Sequence, residues 1–124
     1  MRVAGLGFRG AATFESLNDA LERANGRDGG GVDALATAEV KAGLPAVRIL
    51  AKALRLPLHA VSRAAMAAEE TLTHSAKVEE KFGTGSVAEA AALAACGPGA
   101  RLIGPRVISA DGLATAAIAE RDDE

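Results

Sequence analysis

The amino-acid sequence predicts an α/β domain: a three-layer α/β/α sandwich on a mostly parallel five-stranded sheet that ends in a C-terminal antiparallel hairpin. Three observations predict it. Short apolar runs alternate with segments whose apolar residues recur every three or four positions, and that alternation places parallel strands between helices. The last two apolar runs, 101–104 and 114–119, are joined by a loop that contains Asp111-Gly112 and has no room for a helix, so they should pair antiparallel. A chain of 124 residues with no internal repeat or linker is expected to form one domain over 1–124.

Each element follows from local chemistry. Residues 2–6 read as a short buried strand feeding a glycine-rich turn, Gly5-Leu6-Gly7-Phe8-Arg9-Gly10. Thr13 is a good N-cap for a helix over 14–25, whose stripe is Phe14, Leu17, Leu21 and Ala24. Asn25-Gly26 ends it, and 27–31, with three consecutive glycines, reads as a flexible loop. Residues 32–37 form a second strand, followed by a polar connection with Glu39, Lys41 and Gly43. Pro45 suits the first turn of a helix to about Leu54, with Val47, Leu50, Ala51 and Leu54 inward. Leu58–Val61 is the third strand, and Ser62 caps a short helix through Ala68. Residues 77–82 make one or two helical turns ending at Gly83. Ser86-Val87-Ala88-Glu89 is a capping box for a helix to about Cys96, stopped by Gly97-Pro98-Gly99. The acidic tail 121–124 should fray. Alanine fills 30 positions and blurs helical periodicity, so caps, β-branched runs and glycines set these boundaries.

Composition excludes several functions. A net charge of −2 argues against a strongly basic nucleic-acid binder. With no Trp or Tyr, and only Phe8, Phe14 and Phe82, base-stacking platforms are nearly absent. One cysteine, Cys96, cannot form an internal disulfide and fits a reducing compartment. No apolar run reaches the ~18–20 residues of a membrane span, nor does the start hold an apolar segment of signal-peptide length. The expected setting is cytoplasmic, with no nucleic-acid and no membrane partner. His59 and His74 lack cysteine or paired carboxylate neighbours at ligand spacing, so no metal site is expected. No G-x-S-x-G elbow is present.

Three segments carry candidate chemistry. Gly5, Gly7 and Gly10 fit the spacing of a dinucleotide fingerprint, which makes a small nucleotide-binding module one reading. The helix starts three residues late for that fold, so the turn reads equally as a steric device or as a seat for another anion, with Arg9 as its charge. Gly83, Thr84 and Ser86 open a capped helix whose dipole and hydroxyls could receive a carboxylate. Glu39 and Lys41 follow a strand end, where open α/β sheets bind ligands, and could act as an acid–base couple or stand as a solvated pair.

Taken together, these stretches resemble the CobE / CbiG C-terminal domain family of cobalamin biosynthesis, stand-alone CobE type. The resemblance rests on 3–10, on Leu35-Ala36-Thr37-Ala38-Glu39-Val40-Lys41-Ala42, on Leu54–Leu58, on Gly83-Thr84-Gly85-Ser86-Val87-Ala88-Glu89 and on 114–119, in that order. Two positions depart from the family pattern: Phe8 beside Arg9, where the family often has paired arginines, and Gly43, where it often has an acid. The resemblance implies a vitamin B12 pathway protein that acts on or binds a precorrin-type tetrapyrrole, with no cofactor of its own. Its expected contacts are Gly5, Gly7, Arg9, Gly10, Lys41, Gly83, Thr84 and Ser86. It also implies a second reading, opening of a precorrin lactone as in CbiG-type proteins, with Glu39 or a bound water as base and Lys41 or Arg9 stabilising the oxyanion. Association with other pathway enzymes, and self-association, are both left open.

Overall fold

Alternation along the first strand sets the architecture. In the computed structural model, which describes residues 1–26 and 31–122, Val3 faces one side of a sheet while Ala4 and Leu6 face the other. Most of the loop expected at 27–31, and the last two residues of the acidic tail, lie outside the described residues. The elements run β1 (Arg2–Phe8), α1 (Phe14–Asn25), β2 (Ala34–Ala38), a 3-10 turn (Glu39–Lys41), α2 (Pro45–Leu54), β3 (Leu58–Val61), α3 (Arg63–Ala67), α4 (Ala76–Phe82), α5 (Val87–Cys96), β4 (Arg101–Leu102), β5 (Val107–Ile108) and β6 (Ala114–Glu120).

Among the described residues the sheet has six strands rather than five, and it is mixed rather than mostly parallel. Its order is β3-β2-β1-β6-β4, with β5 also on β6. β1–β2 and β2–β3 are parallel, whereas β1–β6, β4–β6 and β5–β6 are antiparallel. The extra strand has a physical cause. A continuous strand over 101–108 is broken at Pro105, which has no N–H to give to a ladder. The next amide, Arg106 N, donates to the Glu89 carboxylate instead, at 2.8 Å. The register against β6 therefore slips by two residues between Leu102↔Ala119 and Val107↔Ala116. The expected hairpin turn lies between β5 and β6, where Asp111 Oδ1 accepts from Leu113 N and the Ser109 hydroxyl.

Two apolar clusters hold the layers. On one face α1 and α2 bring Leu17, Leu21, Val47 and Leu50 onto Leu6 and Leu35. Each fully buried leucine contributes roughly 1.5–3 kcal/mol relative to exposure. On the other face α3 and α5 bring Met66, Val87, Ala91 and Leu93 onto Val3, Ala36 and Val61. Alanine matters here because it lets α5 lie very close to β1. A Cβ added at Gly5 would overlap the Ala88 carbonyl oxygen and stand 2.7 Å from Ala92 N, so only glycine fits. Gly5 and Gly7 therefore lie inside β1 and not in a turn; the turn begins at Arg9. One non-glycine residue among those described, Arg55 at the end of α2, has left-handed backbone (φ 57°).

Candidate functional site

The C-terminal ends of β1 and β2 point into a cleft of about 490 Å³. This is where an open α/β sheet ordinarily receives a ligand, because the strand ends leave a crevice between diverging loops. Gly7, Phe8, Arg9 and Gly10 form its β1 edge, and Thr37 and Lys41 its β2 edge. α4 closes one side with Lys77, Val78, Lys81 and Phe82. Arg106, Ile108 and Leu113 close the other.

The strand edges are fixed from behind. The Thr37 hydroxyl donates to Leu6 O at 2.7 Å, and the Thr115 hydroxyl to Gly7 O at 3.3 Å. Arg9 N donates to Leu113 O at 3.0 Å, which ties the β1 turn to the β5–β6 hairpin. A Cβ at Gly7 would come within 2.8 Å of Thr115 Oγ1, so this glycine too serves a close approach.

The charge of the cleft opposes that of the chain. Arg9, Lys41, Lys77, Lys81 and Arg106 line it, and no Asp or Glu does among the described residues, although the whole chain carries −2. Lys41 Nζ stands 5.5 Å from the centre of the Phe8 ring, and Lys81 Nζ 5.5 Å from that of Phe82. Desolvation, with the like charge of Lys81, holds the Lys41 ammonium below the usual lysine pKa. A bound anion would offset both by favouring the charged ammonium. The apolar surface of Phe8, Val78, Phe82, Ile108 and Leu113 between these cations suits an amphipathic ligand with a flat body and a charged margin.

Glu89 organises the walls from below. It is fully buried on α5, yet its Oε1 accepts from Leu72 N (2.6 Å) and Thr73 N (2.9 Å). Its Oε2 accepts from the Thr73 hydroxyl (2.5 Å) and Arg106 N (2.8 Å). Burial alone would raise its pKa; these four donors outweigh that and hold the carboxyl below the ordinary glutamate value. One side chain thus joins the segment before α4 to the segment before β5, and both segments line the cleft, through Ser75 and Arg106.

The residues singled out from sequence fall into two groups. Gly7, Arg9, Gly10 and Lys41 meet at the cleft. Gly5 is sealed beneath α5, and Glu39 is exposed on the 3-10 turn, outside the lining. Gly83 ends α4 in left-handed backbone against the Arg63 guanidinium. Thr84 and Ser86 are buried behind α4: Ser86 N donates to Thr84 Oγ1 (3.4 Å) and Glu89 N to Ser86 Oγ (3.3 Å). The capping box expected at Ser86 is therefore only half made, because the Glu89 carboxylate turns away to Thr73 and Arg106. The dinucleotide fingerprint loses its geometry, since two of its glycines lie within a strand. Sequence reading missed Lys77, Lys81 and Arg106. The first two carried a signal: at i, i+4 they share one helix face, which the neighbouring pair Val78 and Phe82 flanks. Among the described residues no group of three His, Cys, Asp or Glu side chains could hold a metal ion.

A family model described as cobalamin synthesis G C-terminus matches residues 2–119. Among solved structures, that of CobE, a protein from the cobalamin (vitamin B12) biosynthetic pathway, superposes with a TM-score of 0.89 at 35% identity. The alignment covers 100% of this chain and 92% of that one. The cobalamin biosynthesis protein chiG from Agrobacterium tumefaciens gives 0.77 at 37% identity, covering 99% and 100%. A cobalamin biosynthesis protein G homologue from Sulfolobus solfataricus gives 0.73 at 20% identity, covering 98% of this chain and 37% of that one, a likeness of fold alone. No curated protein matches the sequence significantly.

Proposed function

The chain belongs to the cobalamin synthesis G C-terminus family, and from that premise we propose that it binds a precorrin-type tetrapyrrole in the cleft between β1, β2 and α4. Its involvement in cobalamin biosynthesis follows from the family. The single observation that carries the finer reading is the cleft's charge: among the described residues, five cations and no carboxylate around an apolar floor. A tetrapyrrole of this class is a broad plate with acetate and propionate arms at its margin. Arg9 and Arg106 can each hold a carboxylate through two parallel N–H donors, while Lys41, Lys77 and Lys81 act as point charges. Val78, Phe82 and Leu113 offer the plate an aliphatic and aromatic seat. The cleft volume of about 490 Å³ suits one edge of such a plate, with the remainder in solvent.

Binding is favoured over lactone opening by what lines the cleft. Water attack on a lactone needs a base within hydrogen-bond reach. The lining holds amines, guanidiniums and hydroxyls, and Glu39 lies outside it. Lys41, whose ammonium gives up its proton more readily than an ordinary lysine, is the one lining group suited to such a role. Absorbance titration with purified precorrin intermediates tests binding. Quenched single-turnover analysis for a two-carbon product tests lactone opening. Saturable binding without turnover supports the proposal, and flat titrations with every intermediate refute it.

A further inference from the structure

Between Glu39 and Glu69 the sequence contains no acidic residue, yet it contains Lys41, Arg48, Lys52, Arg55 and Arg63, in a chain whose net charge is −2. This interval builds α2, β3 and α3. β3 ends the strand order, so its outer edge has no strand partner among the described residues. Between α2 and that edge runs a second depression of about 640 Å³, separate from the cleft. Its floor is Ala51, Leu56, Leu58 and Ala60, and its rim is Arg48, Lys52 and Arg55.

Three features set this groove apart from an ordinary solvated surface. Arg48 and Lys52, four apart, share one face of α2, and Arg55 follows at its C-terminal end on the same groove. A solvent-facing helix usually intersperses acids among such cations; α2 has none, and none of the three cations is ion-paired among the described residues. Arg55 adopts left-handed backbone (φ 57°) at a helix end where glycine is the ordinary choice, so a guanidinium is kept there at a conformational cost. The same segment exposes apolar side chains, Val40 at 76% and Ile49 at 53%.

We propose that this groove docks an extended acidic segment of a partner protein, laid beside β3 as an added strand with its carboxylates on the Arg48, Lys52 and Arg55 row. The open edge of β3 supplies unpaired backbone groups, which favours an extended occupant. The unneutralised row supplies the charge complementarity, which favours an acidic one. Alternation along such a strand would send every second side chain to the α2 face, where glutamate methylenes lie on the Leu56 and Leu58 floor and the carboxylates reach the cation row. The proposal is independent of the tetrapyrrole reading, since the groove shares no residue with the cleft.

The test uses the full chain and a fluorescein-labelled peptide of alternating glutamate and valine, with a lysine–valine peptide as control. Fluorescence anisotropy should show saturable, salt-sensitive binding of the acidic peptide alone. Amide shifts in NMR should map to 58–61 and α2. R48E/K52E should abolish binding. R55G should weaken it about tenfold while the Tm holds or rises, which a merely structural role for Arg55 would not produce. The proposal is overturned if no binding occurs at millimolar peptide, or if the shifts map to Arg9, Lys41 and Lys81. It is also overturned if heparin or anionic vesicles bind the row where the peptide does not. Finally, if R48E/K52E self-associates through β3 without the wild type ever binding peptide, the row only guards the edge, and the proposal fails.

Discussion

Glu89→Gln changes the side chain's size very little but replaces one carboxylate oxygen with an NH2 group, and the structure fixes what that group would meet. On the Oε1 side it would face two backbone donors, Leu72 N and Thr73 N. On the Oε2 side it would face the Thr73 hydroxyl, which can rotate to accept, and Arg106 N, which cannot. The second placement costs less, yet it still sets the NH2 group against one donor, Arg106 N, in a site with no exposure to water. Losing a hydrogen bond to a charged acceptor costs about 1.5–3 kcal/mol and stranding a buried donor about 1–3 kcal/mol, so the variant should lose about 3 kcal/mol. For a chain of this length that is a fall in Tm of roughly 10 °C. Circular dichroism melts at neutral pH measure it directly. The pH dependence gives a second check. The folded carboxyl titrates below its unfolded value of 4.5, so its stabilisation is complete above that pH and is lost as pH falls through the folded value. The gap between wild type and variant should therefore narrow below pH 4.5. A variant that melts within about 2 °C of wild type, with the same acid profile, would refute the role given to Glu89.

Other outcomes follow from the same geometry. Gly5→Ala forces a Cβ into the α5 backbone at the Ala88 carbonyl oxygen, so it should destabilise by about 3 kcal/mol, read as a lowered denaturant midpoint or as insoluble expression. Arg55→Gly relieves left-handed backbone and should stabilise the fold by about 1 kcal/mol in urea unfolding. Ligand binding should weaken as pH rises, beginning below the ordinary lysine value of 10.5, because the Lys41 ammonium loses its proton early; Lys81→Ala should move that loss to higher pH. A binding curve flat to pH 10.5 would remove Lys41 from the site.

Much of the fold was legible because caps and periodicity are local. Thr13, Pro45 and Ser86 open α1, α2 and α5 as expected, and the 17/21/24 and 47/50/51 stripes face the core, whereas Leu54, expected inward with the second, is exposed. The sheet was less legible because strand partners are not local: nothing near β6 announces that it pairs with β1 along its whole length. The break at Pro105 was visible, but its consequence depended on Glu89, far away in sequence. The same limit applies to the site. Arg9 and Lys41 sit at strand ends, where a general rule places ligands, and they meet. Thr84 and Ser86 looked like an open helix start, and only the packing of α4 and of the Thr73 segment shows them enclosed. Glu89 read as half of a local cap because its long-range partners left no trace in its own neighbourhood. The one hint was a carboxylate in a helix whose other residues are nearly all apolar.

The cationic cleft is tested most directly by following the absorbance of a purified precorrin intermediate as the full chain is added, at low and at raised ionic strength, for wild type and for K41A/K81A. Saturation at one ligand per chain is predicted, with affinity that falls as salt is added and at least about tenfold weaker binding by the double variant, about 1.4 kcal/mol. Binding indifferent to salt and equal in the two proteins would contradict the account.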